Sequence, residues 1–365
     1  MKKKTTQLNL RLLNAFTLLS LAIVLPLFGC SNSPNDSSAN APGDWLIPAD
    51  EVFDGGPGRD GIPALLSPEM VSPVKAGYLL DQDLVIGVRV GDVVRAYPHP
   101  ILDWHEIAND KIGATAFAVT YCPLTGTAIG WSRVIDGQET TFGVSGLLYN
   151  TNLMPFDRAT ESIWSQMTLK SVNGPRIGTV AQTFQVVETS WKTFKELFPQ
   201  TTVVSTNTGF NRPYGSFPYG DYKSNNQRLL FPVNVVDNRL PGKDRVVGLI
   251  VDGKSKVYPF RNFPDSIETV NDTFNGVKVV LVASRLKNFG MVYQRVLADG
   301  TELTFSPAQN SAPAVMVDNE GNGWDLFGRA VSGARAGTEL PQTLSYIAYW
   351  FSWTPFNPGA VIFGQ

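Results

Sequence analysis

The sequence predicts an α+β fold, strand-rich and built as a tandem repeat of two similar antiparallel β-meander units with short helices. Three observations carry this. First, VIGVRVGDVVRAYP (Val85 to Pro98) returns as VVGLIVDGKSKVYP (Val246 to Pro259), so that Gly87, Tyr97 and Pro98 each meet a like residue 161 positions on, at Gly248, Tyr258 and Pro259. Second, the spacing holds farther along: Asn109-Asp110 matches Asn271-Asp272 at 162, and Asp136-Gly137 matches Asp299-Gly300 at 163. Third, the turns are hairpin turns between β-branched residues, Gly91-Asp92 and Asp252-Gly253, and no parallel crossover is read.

From the N-terminus, Lys2, Lys3, Lys4 and Arg11 precede an apolar run from Phe16 to Phe28, too short for a bilayer span but suited to a secretory signal. Leu27-Phe28-Gly29-Cys30 resembles the lipobox of bacterial lipoproteins. The resemblance implies that 1–29 is a lipoprotein signal peptide and that Cys30 is lipidated, which tethers the chain to a membrane rather than spanning it. The expected location is therefore the cell envelope, lipid-anchored and extracytoplasmic. Ser31 after the Cys resembles the pattern that permits outer-membrane sorting in a diderm source. Polar, Pro-containing residues complete a flexible tether over 30–43. The stretch 44–84, with EVFDGGPGRDGIP, reads as an irregular segment that wraps the first repeat.

The first repeat, 85–204, opens with its hairpin. Pro98 and Pro100 then introduce a short helix over Ile101–Asn109. Strands follow at Ala116–Tyr121, Thr127–Ile135 and Glu139–Val144. The second repeat, 246–365, offers strands at Lys278–Ala283, Gly290–Leu297 and Glu302–Phe305. Each closes on a Trp-rich helix and a strand, with Trp191, Phe194 and Phe198 in one and Trp350, Trp353 and Phe356 in the other at helical spacing. Between them 205–245 is an aromatic, Pro- and Gly-rich connector. Its Tyr214, Phe217, Tyr219 and Tyr222 either bridge the halves, the favoured reading, or line a groove. The length predicts two core units.

The chain carries a net charge of −2 and loses four basic residues with its leader, and it shows no basic stripe, which argues against nucleic acid as a partner. Charged residues make up 17%, below the usual quarter, which fits a loop- and strand-rich envelope protein. The only cysteines are Cys30 and Cys122, so with Cys30 lipidated no intramolecular disulfide forms. Phosphate-loop, His-Glu-x-x-His, Gly-x-Ser-x-Gly and zinc-spaced Cys motifs are absent from the sequence.

What both repeats keep reads as scaffold, and what one alone holds reads as chemistry. WHEI and YCPLTGTA occur only in the first; the second has DSIE and ASRLKNFG. Cys122 ends a strand before Pro123, where side chains can reach a cleft, although a free Cys is commonly a small buried hydrophobe. His105, on the short helix, is placed to stabilise a Cys122 thiolate, unless it is a hydrogen-bonded core imidazole. Thr125 lies where its hydroxyl can point back at the sulfur and lower its pKa. Asp157 and Trp164 have partners in Asp318 and Trp324 and read as scaffold. Asn150, Asn152, Ser165 and Gln166 do not, and Asn152, Ser165 and Gln166 are candidates to orient a ligand; satisfying turn backbone is the alternative, favoured for the two Asn.

These residues fall in runs that resemble the bacterial family known as domain of unknown function 3179: VIGVRVGDVVRAYP, LDWHEIAND, TYCPLTGTA, FGVSGLLYN through WSQ, and FSWTPFNP. The resemblance extends from about Val71 to the C-terminus. Many relatives carry Cys-Pro-Leu-Cys at the thiol motif and some use selenocysteine, which implies redox chemistry. Thr125 departs from that pattern, so a two-cysteine cycle is not implied here. Carried over by position, the implicated residues are His105, Cys122, Thr125, Asn152 and Gln166.

Three functions follow as expectations. The first is thiol-based redox or thiol transfer with an unknown small-molecule or protein thiol partner and no cofactor, in which a depressed Cys122 pKa is expected. The second is copper binding by Cys122 and His105 with His99 or Met154. The third is a non-enzymatic binding or scaffold lipoprotein with Cys122 buried.

Overall fold

A computed structural model describes residues 45–365. The leader, Cys30 and the tether lie outside them, as does Asp44. The described residues belong to one compact unit, not the two core units expected from length. The reason is visible in the cores. One apolar cluster joins Ile107, Cys122, Trp131 and Trp164 to Val246, Tyr349, Trp350 and Trp353, and another joins Val85, Trp191 and Phe194 to Val280, Phe289 and Trp324. Each half buries apolar surface against the other.

The described residues are strand-rich, with three short α-helices: α1 (His99–His105), α2 (Trp191–Leu197) and α3 (Trp350–Phe356). Among the described residues no helix is long and apolar enough to cross a membrane. The helix expected over Ile101–Asn109 begins two residues earlier and stops at His105, because Glu106 takes a positive φ of 57° and Ile107–Ile112 joins a sheet.

In the first half, Leu84–Val90 and Val93–Pro98 form the predicted hairpin, flanked by Val187–Ser190 and Thr202–Val204. In the second half, Arg245–Val251 and Lys254–Pro259 are flanked by Leu344–Tyr349 and Val361–Ile362 in the same order. The last strand of each set runs parallel to its hairpin neighbour, Val203 beside Ala96 and Val257 beside Ile362. Leu65–Leu66 is also parallel to its neighbour. These pairs correct the expectation that parallel connections are missing: the chain returns to its hairpin sheet after a long excursion through another.

A second sheet in each half is a meander. Ile107–Ile112, Thr115–Cys122 and Thr127–Ser132 pair in sequence, as do Glu268–Phe274, Val277–Ser284 and Phe289–Gln294. Buried polar residues brace these meanders. Asn109 exchanges two hydrogen bonds with the Phe142 backbone, and Asn271 does so with Phe305. The Trp164 indole donates to Asp157, and that of Trp324 to Asp318. Residues before Leu84 add an edge strand to each of three first-half sheets: Val52–Asp54, Leu65–Leu66 and Met70–Val71. No strand or helix occurs between Val204 and Arg245.

Candidate functional site

Cys122 is the last residue of the strand Thr115–Cys122, and its hairpin partner across the turn is Thr127. The turn is closed by the Thr125 N–H donating to the Cys122 carbonyl at 3.3 Å and by Gly126 at φ 61°. The thiol is 1% exposed. Burial, and then the Glu106 carboxylate, push it up to about 11, while hydrogen bonds from Thr125 and from backbone groups at Leu153 and Thr125 pull the other way. The expected depressed pKa is thus overturned: desolvation outweighs the donors, and the resting group is a thiol.

Beneath the turn lies a closed polar network. Asn152 Nδ2 donates to Thr125 Oγ1 at 3.0 Å and to Gln166 Oε1 at 2.8 Å, and Asn152 Oδ1 accepts from the Met167 N–H at 3.1 Å. Gln166 Nε2 donates to Thr120 Oγ1 at 2.9 Å and to the Thr127 carbonyl at 3.3 Å. The structure therefore brings Cys122, Thr125, Asn152 and Gln166 together. Thr120 was missed from sequence.

Ser165 and His105 stand apart from this network. The Ser165 hydroxyl bonds Thr168 at 2.7 Å and holds its own turn, so a ligand-orienting role is replaced by a local one. Asn150, at φ 49°, receives the Asn234 N–H. His105 donates from Nδ1 to the Pro63 carbonyl at 2.7 Å, so Nε2 accepts from the Tyr214 hydroxyl at 2.6 Å. Burial lowers its pKa. With both nitrogens committed, His105 is a core imidazole, which corrects its assignment as the base for Cys122.

The ionisable neighbour of the thiol is instead the next residue. Glu106 is buried, and desolvation followed by the charge of Asp103 raises it to about 8. Its sequence signal is its place inside WHEI, a run that the second half lacks.

Lys243 was also missed. It is 7% exposed, and its Nζ has no hydrogen-bond partner. It lies 3.0 Å from the Tyr222 ring centre, 4.7 Å from Phe351 and 5.5 Å from Tyr349. Burial lowers it to about 7, the Cys122 thiolate pulls it back up, and Arg228 opposes that. Tyr349 links this cage to the thiol turn: its N–H donates to the Thr125 carbonyl at 2.8 Å, and its ring covers Gly126. Tyr219 and Tyr222 feel the charges of Cys122 and its neighbours. The connector therefore supplies part of the thiol's surroundings and does more than bridge the halves.

The donors named for copper are engaged separately. His99 faces Glu188 at 3.4 Å and lies against the Tyr121 ring in a tilted contact, while Met154 packs with Phe156, Ile163 and Val172. Among the described residues no group of three or more His, Cys, Asp or Glu side chains is placed to hold a metal ion. A cavity of about 440 Å³ opens elsewhere, between Arg89, Phe198 and Arg329, and contains no thiol.

Residues 59–360 match the family described as Protein of unknown function (DUF3179). The chain belongs to that family. No curated protein and no solved structure matches it. The matched region takes in both hairpins, the thiol turn, the Asn152–Gln166 network and Lys243.

Proposed function

We propose that this DUF3179 chain is a lipid-anchored envelope protein that performs single-thiol redox or thiol-transfer chemistry at Cys122. One observation carries the reading: Cys122 ends its strand buried at a closed turn over the Thr125, Asn152 and Gln166 network, a set of hydroxyl and amide groups that the second half lacks. In the proposed step the thiolate attacks one sulfur of a low-molecular-weight disulfide. A mixed disulfide forms on Cys122, the old sulfur–sulfur bond breaks, and the second sulfur leaves as a thiolate that takes up a proton. A second small thiol then resolves the adduct, since Thr125 stands where a second cysteine would serve.

The fold is read as a tandem duplication in which one copy has kept the site. Matching registers support it, Gly87 opposite Ala96 and Gly248 opposite Val257, as do the paired Asn109 and Asn271 braces. Ser284 ends its strand as Cys122 does, and its hydroxyl donates to the Asp265 carbonyl at 2.8 Å.

The burial of Cys122 favours a second reading, a scaffold lipoprotein with an inert thiol. Incubation of the full chain with a small aliphatic disulfide, followed by mass spectrometry of the Cys122 peptide, separates the two. A reversible mixed disulfide in the folded protein supports thiol transfer. Modification only after unfolding supports the scaffold.

A further inference from the structure

We propose that the turn of Asn150 and Thr151 is a gate over the Cys122 thiol, latched by connector residues 231–234. The inference rests on the reading of Cys122 as a reacting thiol and supplies its route to solvent. A sulfur that is 1% exposed meets a reagent only when something above it moves.

The turn is built against its own backbone. Tyr149 pairs with Asn152, so Asn150 and Thr151 form a two-residue hairpin loop at φ 49° and 66°. The chain makes the same loop, with positive φ at both positions, at Asp136-Gly137, Asp252-Gly253 and Asn275-Gly276. Each of those puts glycine second, as this geometry favours. The turn over the thiol puts threonine there instead. Among the described residues Thr151 is the only β-branched one at positive φ, and such a residue is strained in that region.

The threonine adds a bond that glycine could not make. Its hydroxyl donates to the Phe231 carbonyl at 2.8 Å and reaches the Pro232 carbonyl at 3.4 Å. From the same stretch, the Asn234 N–H donates to Asn150 Oδ1 at 2.8 Å. On its inner side the Thr151 carbonyl accepts the Cys122 S–H at 3.8 Å. Thiol, turn and connector are thus joined in series.

The connector is the weak member of that series. Residues 229–240 form no strand or helix, and no backbone–backbone hydrogen bond involves them among the described residues. Phe231 and Val233 rest on the apolar cluster that contains Cys122, while Pro232 and Asn234 are exposed. The outer anchor is the Asn234 amide donating to Glu51 at 2.8 Å, an exposed contact. A segment held by side chains alone opens more readily than the sheets beneath it. Opening frees the Thr151 hydroxyl, lets the turn relax and withdraws its carbonyl from the sulfur. Strain favours the open gate and the latch favours the closed one.

The test is iodoacetamide alkylation of Cys122 in the full chain, near neutral pH and across low urea, with the adduct assigned by mass spectrometry. The wild-type rate should be independent of urea below the unfolding transition, as local opening requires. Thr151→Val keeps the branched side chain and loses the latch, so it should react about two- to tenfold faster. Thr151→Ser keeps the hydroxyl with less strain and should react no faster than wild type. Equal rates in wild type and Thr151→Val, both independent of urea, overturn the gate and leave the thiol chemistry standing. Alkylation that rises with urea at the full slope of global unfolding overturns both, because the sulfur is then reached only by unfolding. Should Thr151→Val fail to fold, hydrogen exchange of the wild-type Asn234 amide decides. Urea-independent exchange faster than that of Val119, in the central strand of its meander, supports the gate; protection equal to that of Val119 overturns it.

Discussion

Asn152 places its amide nitrogen 3.0 Å from the Thr125 hydroxyl oxygen. Because Asn152 fills an acceptor site on that oxygen, the hydroxyl proton is free to point at the Cys122 sulfur, where it favours the thiolate. Asn152 is held in this orientation by Gln166 and by the Met167 N–H. A residue that contacts no thiol thus sets the direction of the donor that does.

Thr125→Val is expected to raise the Cys122 pKa and slow its alkylation, whereas Thr125→Ser should stay close to wild type. A hydrogen bond to a charged group is worth about 1.5–3 kcal/mol, or roughly one to two pKa units. Asn152→Ala should act in the same direction. It should also cost about 1–3 kcal/mol of stability, because Gln166 Oε1 and the Met167 N–H lose their partner in a buried site. Alkylation profiles and chemical denaturation check the two effects separately.

Stability should fall as pH rises from about 4.5 to about 8, through Glu106. Its folded pKa lies above the ordinary carboxyl value of 4.5, so in that window the unfolded chain ionises while the folded chain holds its proton. At about 1.4 kcal/mol per unit the penalty is on the order of 5 kcal/mol. Lys243 has the opposite sign. Its folded value of about 7 lies below 10.5, so stability recovers as pH rises between them. Glu106→Gln should flatten the acid-side slope and Lys243→Met the alkaline one. Thermal melting across pH, with unchanged slopes in both variants, would refute the assignments.

Gly87 and Gly248 explain why one kind of residue was kept in both runs. A Cβ on Gly87 would overlap the Phe194 ring of α2, and one on Gly248 would overlap the Trp353 indole of α3. Each aromatic helix thus lies flat on its own hairpin, which requires a strand residue with no side chain. Gly87→Ala and Gly248→Ala should each destabilise by about 1–3 kcal/mol through forced displacement of the ring. Lowered denaturation midpoints with unchanged m-values would bear this out.

That pairing shows how far the sequence could be read. Hairpins, meanders and Trp-rich helices repeat local patterns, so their order and much of their extent were visible in the chain. The Cys122, Thr125, Asn152 and Gln166 grouping was visible too, because all four lie in runs that the second half lacks. His105 misled because its partners, Pro63 and Tyr214, come from segments with no regular pattern. Lys243 left no trace, since the connector has no counterpart to compare it with and its cage joins Tyr222 to Tyr349 and Phe351 from the far end of the chain. The parallel strand pairs were hidden for the same reason: they join segments about a hundred residues apart, beyond any local signal.

The second half offers the sharpest test of whether position or surroundings make the thiol reactive. Ser284 ends its strand where Cys122 ends the other, and it is fully buried. Its surroundings differ: the hydroxyl donates to the Asp265 carbonyl at 2.8 Å and receives the Lys287 N–H at 3.2 Å, and Lys287 occupies the place that Thr125 has in the first half. The double variant Cys122→Ser with Ser284→Cys should therefore carry a thiol that is buried but unreactive toward iodoacetamide and small disulfides at neutral pH. Sulfur is larger than oxygen and a weaker hydrogen-bonding atom, so some stability should also be lost. Mass spectrometry of the folded double variant gives the answer. If the transplanted thiol reacts as fast as Cys122, strand-end position is sufficient, and Thr125 and Glu106 have no part in the reactivity.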